Sequence, residues 1–440
     1  MTDYVDMLVN GDHVLPVLLH DLESAERAID LSMFLFFRDP IGEEIAALLA
    51  KKARAGVAVR VLINIEKTEM GDPFSTGEKE MMKHDPHVEY DPMDVTPLCD
   101  MMRQAGVEVL DTNIDYGKEA PHADGRLRSV GAQIRDTIAI DDLHIDHRKV
   151  VVIDGRIAYC GGANVGAQYL FHHPFDPHKH ARKEGDELKA QNHPEPWWKW
   201  HDSLTRFEGE VVRALDAHFH DRWVLDGGQE FQPIVDSAFP SPPRGHGAAS
   251  TQVLVNEPND QPNQVRELYV RMIQQAQRSI FIENPYLYHP AIVDALLASK
   301  RARPDLRVDL IVPALEWNDN ELAQDAQQYH YAKYLEVGIG VHEYQCHFNH
   351  LKTAVFDERW SIHGSTNLNF RSLEDDKDFE MVVLVDCPSL AREMLERVRD
   401  VDLGHAKRFE KDDVEGSLWK RLHIKTRDPR TLLLLSRRVL

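Results

Sequence analysis

Apolar and polar positions along the chain fall into two similar scripts, one after the other. In the first, LLHDLESAERAIDLSMFLF reads as an amphipathic helix running into an apolar strand. EEIAALLAKKAR restores the helical period, and GVAVRVLIN, from Gly56, reads as the next strand. Farther on, LYVRMIQQAQRSIFIENPY is again helix then strand, IVDALLASKR again a helix, and LRVDLIVP, from Leu306, the strand after it. This alternation predicts an α/β protein with a parallel or mixed sheet, built as a long-period duplication. Between the scripts lies PSPPRGHGAAST, from Pro240, whose Pro, Gly and Ser content predicts a linker. The expected organisation is therefore an N-terminal lobe over 1–239, a linker over 240–252 and a C-terminal lobe over 253–440. The first lobe has an extra span from about Glu66 to Ile140, rich in Asp, Pro and Met, expected to form inserted loops and a helix.

Each script ends in a stretch that periodicity alone does not explain. The first is HRKVVVIDGRIAYCGGANVG, from His147, and the second is HLKTAVFDERWSIHGSTNLN, from His350. A β reading puts His147, Lys149 and Val151 on one face, so imidazole and ammonium point the same way. Asp154-Gly155 is a hairpin-turn signal, with RIAYC returning as the partner strand. The small residues of Gly161-Gly162-Ala163-Asn164 then allow close backbone approach, and Asn164 is expected to offer its amide to an anion at a helix start. His350, Lys352, Asp357 and Asn367 repeat the arrangement at identical spacing. Asp154 and Asp357, at the turns and well beyond the lysines along an extended strand, are expected to be structural.

Two such units brought face to face supply two imidazoles, two ammoniums and two amides around one small space, a set suited to the oxygens of a phosphate diester. A neutral imidazole can attack phosphorus while a protonated one gives its proton to the leaving oxygen. One histidine cannot do both in the same step. The chain has two other His-x-Lys sequences, at His405 and His423, but neither is followed by the Gly-x-x-Asn element. They are expected to be a solvated helix and ordinary surface.

Composition narrows the substrate. A formal net charge of −22 argues against broad nucleic-acid binding, which needs a basic footprint, and less strongly against a membrane surface. No apolar run approaches the roughly 20 residues that span a bilayer, and the start, MTDYVDMLVNGDHVLP, lacks the pattern of a secretory signal. The four cysteines, Cys99, Cys160, Cys346 and Cys387, are scattered, without metal-knuckle or disulfide spacing.

In these motifs the sequence resembles the phospholipase D superfamily, whose signature H-x-K-x4-D-x6-G-[GS]-x-N occurs twice. The nearest likeness is to bacterial cardiolipin synthases and their phospholipase D relatives. It extends over most of the chain, including WKWHDSLTRFEGEVVRALDAHFHDRW from Trp198, AQRSIFIENPYLYHP, and NLNFRS after the second motif. The resemblance implies two pseudo-symmetric α/β/α sandwich lobes with one active site at their interface. It implies His147 as the nucleophile that becomes a phosphohistidine, and His350 as acid, then base. Lys149, Lys352, Asn164 and Asn367 would hold phosphate oxygens. Asp202, in WHDS, and Glu380, in DKDFE, would be the carboxylates that fix the two imidazoles. No metal and no cofactor is implied. The substrate would be a membrane phospholipid, the acceptor an alcohol or water, and the setting cytoplasmic with peripheral membrane contact. No counterpart of the membrane helices that precede this region in many cardiolipin synthases is expected in this sequence. The chain departs from the family at Asp378, where Asn is frequent, and at Asn369, where Asp is common. The competing readings are a nuclease of the same superfamily and a non-catalytic lipid-binding scaffold on the same fold.

Three weaker signals remain. FHHPFDPHKHARK, from Phe171, has metal-ligand residue types but the Pro and Lys content of a loop. Trp197, Trp198 and Trp200, with Phe171 and Phe175, suit a lipid interface, with Trp200 the one expected in the core. The tail RTLLLLSRRVL suits either a core closure or an anionic lipid surface.

Overall fold

The computed structural model describes residues 3–70, 94–112, 145–173, 199–234, 243–258, 262–318, 321–346, 348–375, 377–411 and 413. Among these, the first half of the chain contributes β1 (Asp3–Val9), β2 (Ala28–Met33), β3 (Ala58–Ile63), β4 (Glu108–Asp111), β5 (Val150–Ile153), β6 (Ile157–Gly161) and β7 (Ser203–Glu208). The second half contributes β8 (His246–Asn256), β9 (Ser279–Glu283), β10 (Arg307–Pro313), β11 (Gly340–Tyr344), β12 (Thr353–Phe356), β13 (Trp360–Gly364), β14 (Glu380–Asp386) and β15 (Ala406–Arg408). They join in one sheet whose order is β15-β11-β10-β9-β12-β13-β14-β8-β1-β7-β6-β5-β2-β3-β4. Read outward from the antiparallel β1–β8 pair, the halves have matching strand order, with β15 added at one edge. The duplication read from sequence is thus a pseudo-two-fold in space.

Within each half the parallel strands are joined by helical crossovers, Pro40–Arg54 between β2 and β3 and Pro290–Ala302 between β9 and β10. Both helices carry Pro in the first turn, where its missing N–H costs nothing. Asp39 caps the first, accepting from the N–H groups of Ile41 (3.0 Å) and Gly42 (2.9 Å).

Why the motif strands are continuously apolar follows from their packing. In β5, Val151 and Ile153 enter an outer core with Leu15, Leu18, Ile45 and Leu49 from flanking helices. Val150 and Val152 enter a different core, where Phe207 and Leu215 of the first half meet Val355, Met381 and Val383 of the second. A strand buried on both faces has no polar side to show. The inner core is common to both halves, so the surface behind each motif is the interface between them.

Four expectations are corrected. Residues from His246 within the expected linker are strand, because β8 supplies the pairing edge for both β1 and β14. The expected insertion has, besides a helix at Thr96–Gln104, a strand of the sheet: β4, which stands where β11 stands in the other half. His405 does not open a solvated helix; Ala406–Arg408 pair antiparallel with β11 as an edge strand. No helix begins at Asn164. The chain there turns back onto Asp39, whose carboxylate takes the Ala167 N–H at 2.6 Å. After Asn367 a short helix, Phe370–Leu373, does follow, and Asn369 caps it at Ser372 N–H (3.0 Å). His423, the rest of the His-rich stretch beyond His173, Trp197, Trp198 and the tail RTLLLLSRRVL lie outside the described residues. No helix among the described residues is long and apolar enough to cross a membrane.

Candidate active site

Each motif begins just before a central strand and turns sharply after it. Asp154 and Gly155 both have positive φ (54° and 65°), and Arg156 N–H returns to the Ile153 carbonyl at 3.0 Å, closing a tight hairpin. The Asp154 carboxylate accepts the backbone N–H groups of Glu26 (2.9 Å), Arg27 (2.7 Å) and Ala28 (2.9 Å). Asp357 does the same for Gln277 (2.9 Å), Arg278 (2.6 Å) and Ser279 (3.0 Å). Each aspartate therefore ties the far end of its motif strand to the start of β2 or β9. Burial raises the Asp154 carboxyl, but the three backbone donors and Arg156 outweigh it and hold it below the usual range. Asp154→Ala should cost about 2–4 kcal/mol of unfolding free energy, measured by urea titration, since three backbone donors lose their acceptor together.

The other end of each motif is held by the opposite half of the chain. Asp146, just before His147, forms an isolated parallel bridge with Phe379, just before Glu380. Asn349, just before His350, forms the equivalent bridge with His201, just before Asp202. His147 N–H donates to the Phe379 carbonyl (3.0 Å), and His350 N–H to the His201 carbonyl (2.8 Å). The side chains cross over accordingly. His147 Nδ1 lies 2.9 Å from Glu380 Oε1, and His350 Nδ1 lies 2.7 Å from Asp202 Oδ2. A carboxylate only accepts, so each Nδ1 carries a proton, which leaves each Nε2 to hold a lone pair or a second proton. The family resemblance implies both carboxylates; that each belongs to the histidine of the other half emerges only in the fold.

The two carboxylates differ in support. Glu380 takes the hydroxyls of Ser365 and Ser372, the latter at 2.5 Å. Burial pushes its carboxyl up, but His147, Lys149 and Ser365 prevail and hold it below the ordinary value. Asp202 takes Ser203 N–H at 2.7 Å, and burial, only partly countered by Lys352, pushes it up to about 6. It also explains Gly162: a Cβ there would collide with the Asp202 carboxylate, whereas the corresponding Ser365 is itself a donor to Glu380.

Lys149 and Lys352 are steered by their own motifs, Nζ donating to the carbonyls of His147 (2.7 Å) and His350 (2.9 Å). Both are buried, and burial together with the Lys352 charge pulls the Lys149 ammonium down to about 7, against Glu380 and Asp202. Burial and the Lys149 charge lower His147, with Glu380 opposing. Burial, Lys352, Lys149 and His147 take His350 well below the usual imidazole range. The two motifs thus act on one another's charge across a single space. Asn164 Oδ1 accepts Leu35 N–H (3.1 Å), which leaves its amide nitrogen to donate. In the second copy the donor matching Leu35, Tyr286, goes instead to Asn284, which also takes Leu368 N–H (3.1 Å each), and the buried Asn367 Oδ1 meets no donor among the described residues.

Sequence reasoning missed the aromatic lining. Phe34 stands edge-on to His147 at 5.0 Å, with the Lys149 ammonium 5.1 Å from its ring centre. Trp200, buried as expected, stands edge-on to His350 (5.1 Å) and stacks on Phe348 (5.4 Å), with Tyr169 completing the wall. The departures at Asp378 and Asn369 are structural: Asp378 pairs with Arg371 (Nε at 3.0 Å), and Asn369 is the helix cap described above.

Two motif copies, one space and crossed His–carboxylate pairs define the phospholipase D superfamily architecture. Residues 18–173 and 269–401 match the family described as "Cardiolipin synthase, PLD-like domain", and the chain belongs to that family. It is 27% identical over 372 residues to a "Probable cardiolipin synthase YwiE" of Bacillus subtilis (strain 168), covering 84% of this chain and 60% of that protein. It is 25% identical over 421 residues to the "Major cardiolipin synthase ClsA" of the same organism, covering 95% and 73%. The chain thus spans about three fifths of the first relative's length. The fold matches the crystal structure of phosphatidylserine synthase from Haemophilus influenzae Rd KW20 over 99% of this chain and 95% of that one, with a TM-score of 0.65 and 14% identity.

Proposed function

We propose that the chain cleaves the phosphodiester of a membrane phospholipid through a phosphohistidine and passes the phosphatidyl group to an alcohol or to water, as a phosphatidyltransferase of the cardiolipin synthase type or a phospholipase D. The observation that carries this reading is the crossed pair of His–carboxylate contacts, His147–Glu380 and His350–Asp202, in one buried space with two lysines. The similarity to cardiolipin synthases supports the lipid substrate. So does the net charge of −22, which disfavours a polyanionic nucleic acid.

The neutral Nε2 of His147 attacks phosphorus, forming a P–N bond as the P–O bond to the leaving alcohol breaks. Glu380 stabilises the imidazolium that develops. His350, protonated at Nε2, hands that proton to the leaving oxygen. The acceptor hydroxyl then attacks phosphorus, His350 takes its proton back, and the P–N bond breaks. Lys149, Lys352, Asn164 and Asn367 hold the non-bridging oxygens, where charge increases in each transition state. Asp154 and Asp357 have no part in the chemistry.

The test is purified protein with phosphatidylglycerol or phosphatidylcholine vesicles, with and without glycerol, the products resolved by mass spectrometry. Transfer or phosphatidic acid release that disappears in His147→Ala supports the reading; absence of any lipid product sinks it. The same assay checks a pH dependence. The proton of the acid must reside on the His350–Asp202 pair, whose imidazole is shifted down and whose carboxyl is shifted up to about 6. Activity at saturating lipid should therefore rise as pH falls from 8 towards about 6, and fall again once His147 protonates.

A further inference from the structure

Behind the His350–Asp202 pair lies a second buried group of polar side chains that the reaction does not use. Asp202 and His350 follow His201 and Asn349, the two residues joined by the cross-half bridge. Their side chains alternate to the opposite side of that ladder. His201 Nδ1 lies 2.7 Å from Asn10 Oδ1, and its Nε2 lies 3.1 Å from Asp402 Oδ2. Asn349 donates its amide to Glu283 Oε1 and accepts Leu351 N–H at 3.1 Å. One ring nitrogen of His201 and one carboxylate oxygen each of Glu283 and Asp402 lie within 4.8 Å of one another, and all three residues are buried.

Counting donors decides what this group is. With Asn10 Oδ1 and an ionised Asp402 both accepting, the two ring nitrogens of His201 are the donors of this group. Glu283 Oε2 has no donor among the described residues and faces Asp402. Two buried carboxyls within 4.8 Å of each other do not both stay ionised. One imidazolium, one carboxylate and one carboxylic acid sum to zero charge, which suits a site closed to water. We propose that His201, Glu283, Asp402 and Asn349 form a neutral, proton-sharing cluster that positions the His350–Asp202 pair from behind. They are positioning residues, because none of them faces the reacting atoms. Burial and Asp402 both push the Glu283 carboxyl well above its ordinary value, in keeping with its role as the acid. Titratable neighbours of the cluster among the described residues include Tyr344, stacked on His201 at 5.3 Å, Cys346 and Asp202; burial holds Tyr344 and Cys346 protonated. Asn10 completes the clamp. It adopts φ 67°, and its own N–H holds the Asp202 carbonyl at 2.8 Å.

The positioning role rests on the proposed reaction, but the protonation pattern can be measured without turnover. A carboxyl raised in the folded state contributes most below its unfolded value, and that contribution fades as pH rises towards the folded value. Gln has no such proton to lose. The melting temperature of Glu283→Gln minus that of wild type should therefore grow by about 3 °C or more from pH 5 to pH 8. A gap that does not change with pH overturns the proposal. So does about one equivalent of divalent metal per wild-type chain, by plasma mass spectrometry, that Glu283→Gln and Asp402→Asn lack. Should Glu283→Gln not fold, ¹⁵N NMR of histidine-labelled wild type decides, with His201→Asn assigning the signal: an unprotonated His201 Nε2 is fatal. With phosphatidylglycerol vesicles, Asp402→Asn should lower kcat about tenfold and leave KM within about twofold; a change confined to KM overturns the positioning role. Inactivity of the wild type on every lipid would sink the proposed reaction while leaving the melting and NMR results to judge the cluster.

Discussion

His147→Ala should abolish turnover of phosphatidylglycerol, by about 10⁴-fold or more, while the melting temperature changes little. The ring is the proposed nucleophile, and Glu380, which it meets at Nδ1, keeps the Ser365 and Ser372 hydroxyls in its absence. His350→Ala should be similarly damaging with a natural lipid, since its leaving alkoxide needs a proton. The two variants separate on an aryl phosphodiester, whose nitrophenolate leaves unaided. His350→Ala should then release about one equivalent of nitrophenol per chain and stall, its phosphohistidine accumulating for want of a base to activate water. His147→Ala should release none. A burst from His147→Ala and none from His350→Ala would reverse the assignment, and a burst from neither would remove the covalent intermediate.

How much of this could be read from the chain depends on range. The hairpin at Asp154-Gly155 is local: positive φ at successive positions leaves its mark in the residues themselves. The repeat is legible for the same reason, since both copies need the same small residues at the same spacing. The second copy shows the limit. Glu358 takes φ 59° where the first copy has Gly155, so a residue-by-residue reading would not have found that turn without its partner. Gly and Ser signal a loop from Pro240 by composition, while β8 is fixed by having β1 on one side and β14 on the other. Pairing across hundreds of residues leaves no local periodicity. The same holds for the crossed contacts. Glu380 sits on β14 beside the second motif's own strand, β13, yet serves the first motif's histidine, because the bridge Asp146–Phe379 carries that histidine across.

That crossing predicts the second large effect. Glu380→Gln should fold, because the Ser365 and Ser372 hydroxyls can turn to accept or donate and the side chain keeps its shape. Its amide, however, has only one acceptor oxygen for what were three donors: two hydroxyls and His147 Nδ1–H. If the amide N–H faces His147, Nδ1 must accept, and the ring's proton moves to Nε2, where the attacking lone pair belongs. The variant also removes a negative charge that supports both the developing imidazolium and the Lys149 ammonium, already drawn down to about 7. Formation of the phosphohistidine should slow by roughly 10²- to 10⁴-fold, with KM for lipid nearly unchanged. Asp202→Asn acts on the other ring and should slow natural lipids while sparing the nitrophenol burst, because that first step needs no acid. Single-turnover release of nitrophenol therefore distinguishes the two: slow in Glu380→Gln, fast in Asp202→Asn. Equal slowing in both would mean that each carboxylate supports the interface as a whole, and the division of labour between the two histidines would have to be abandoned.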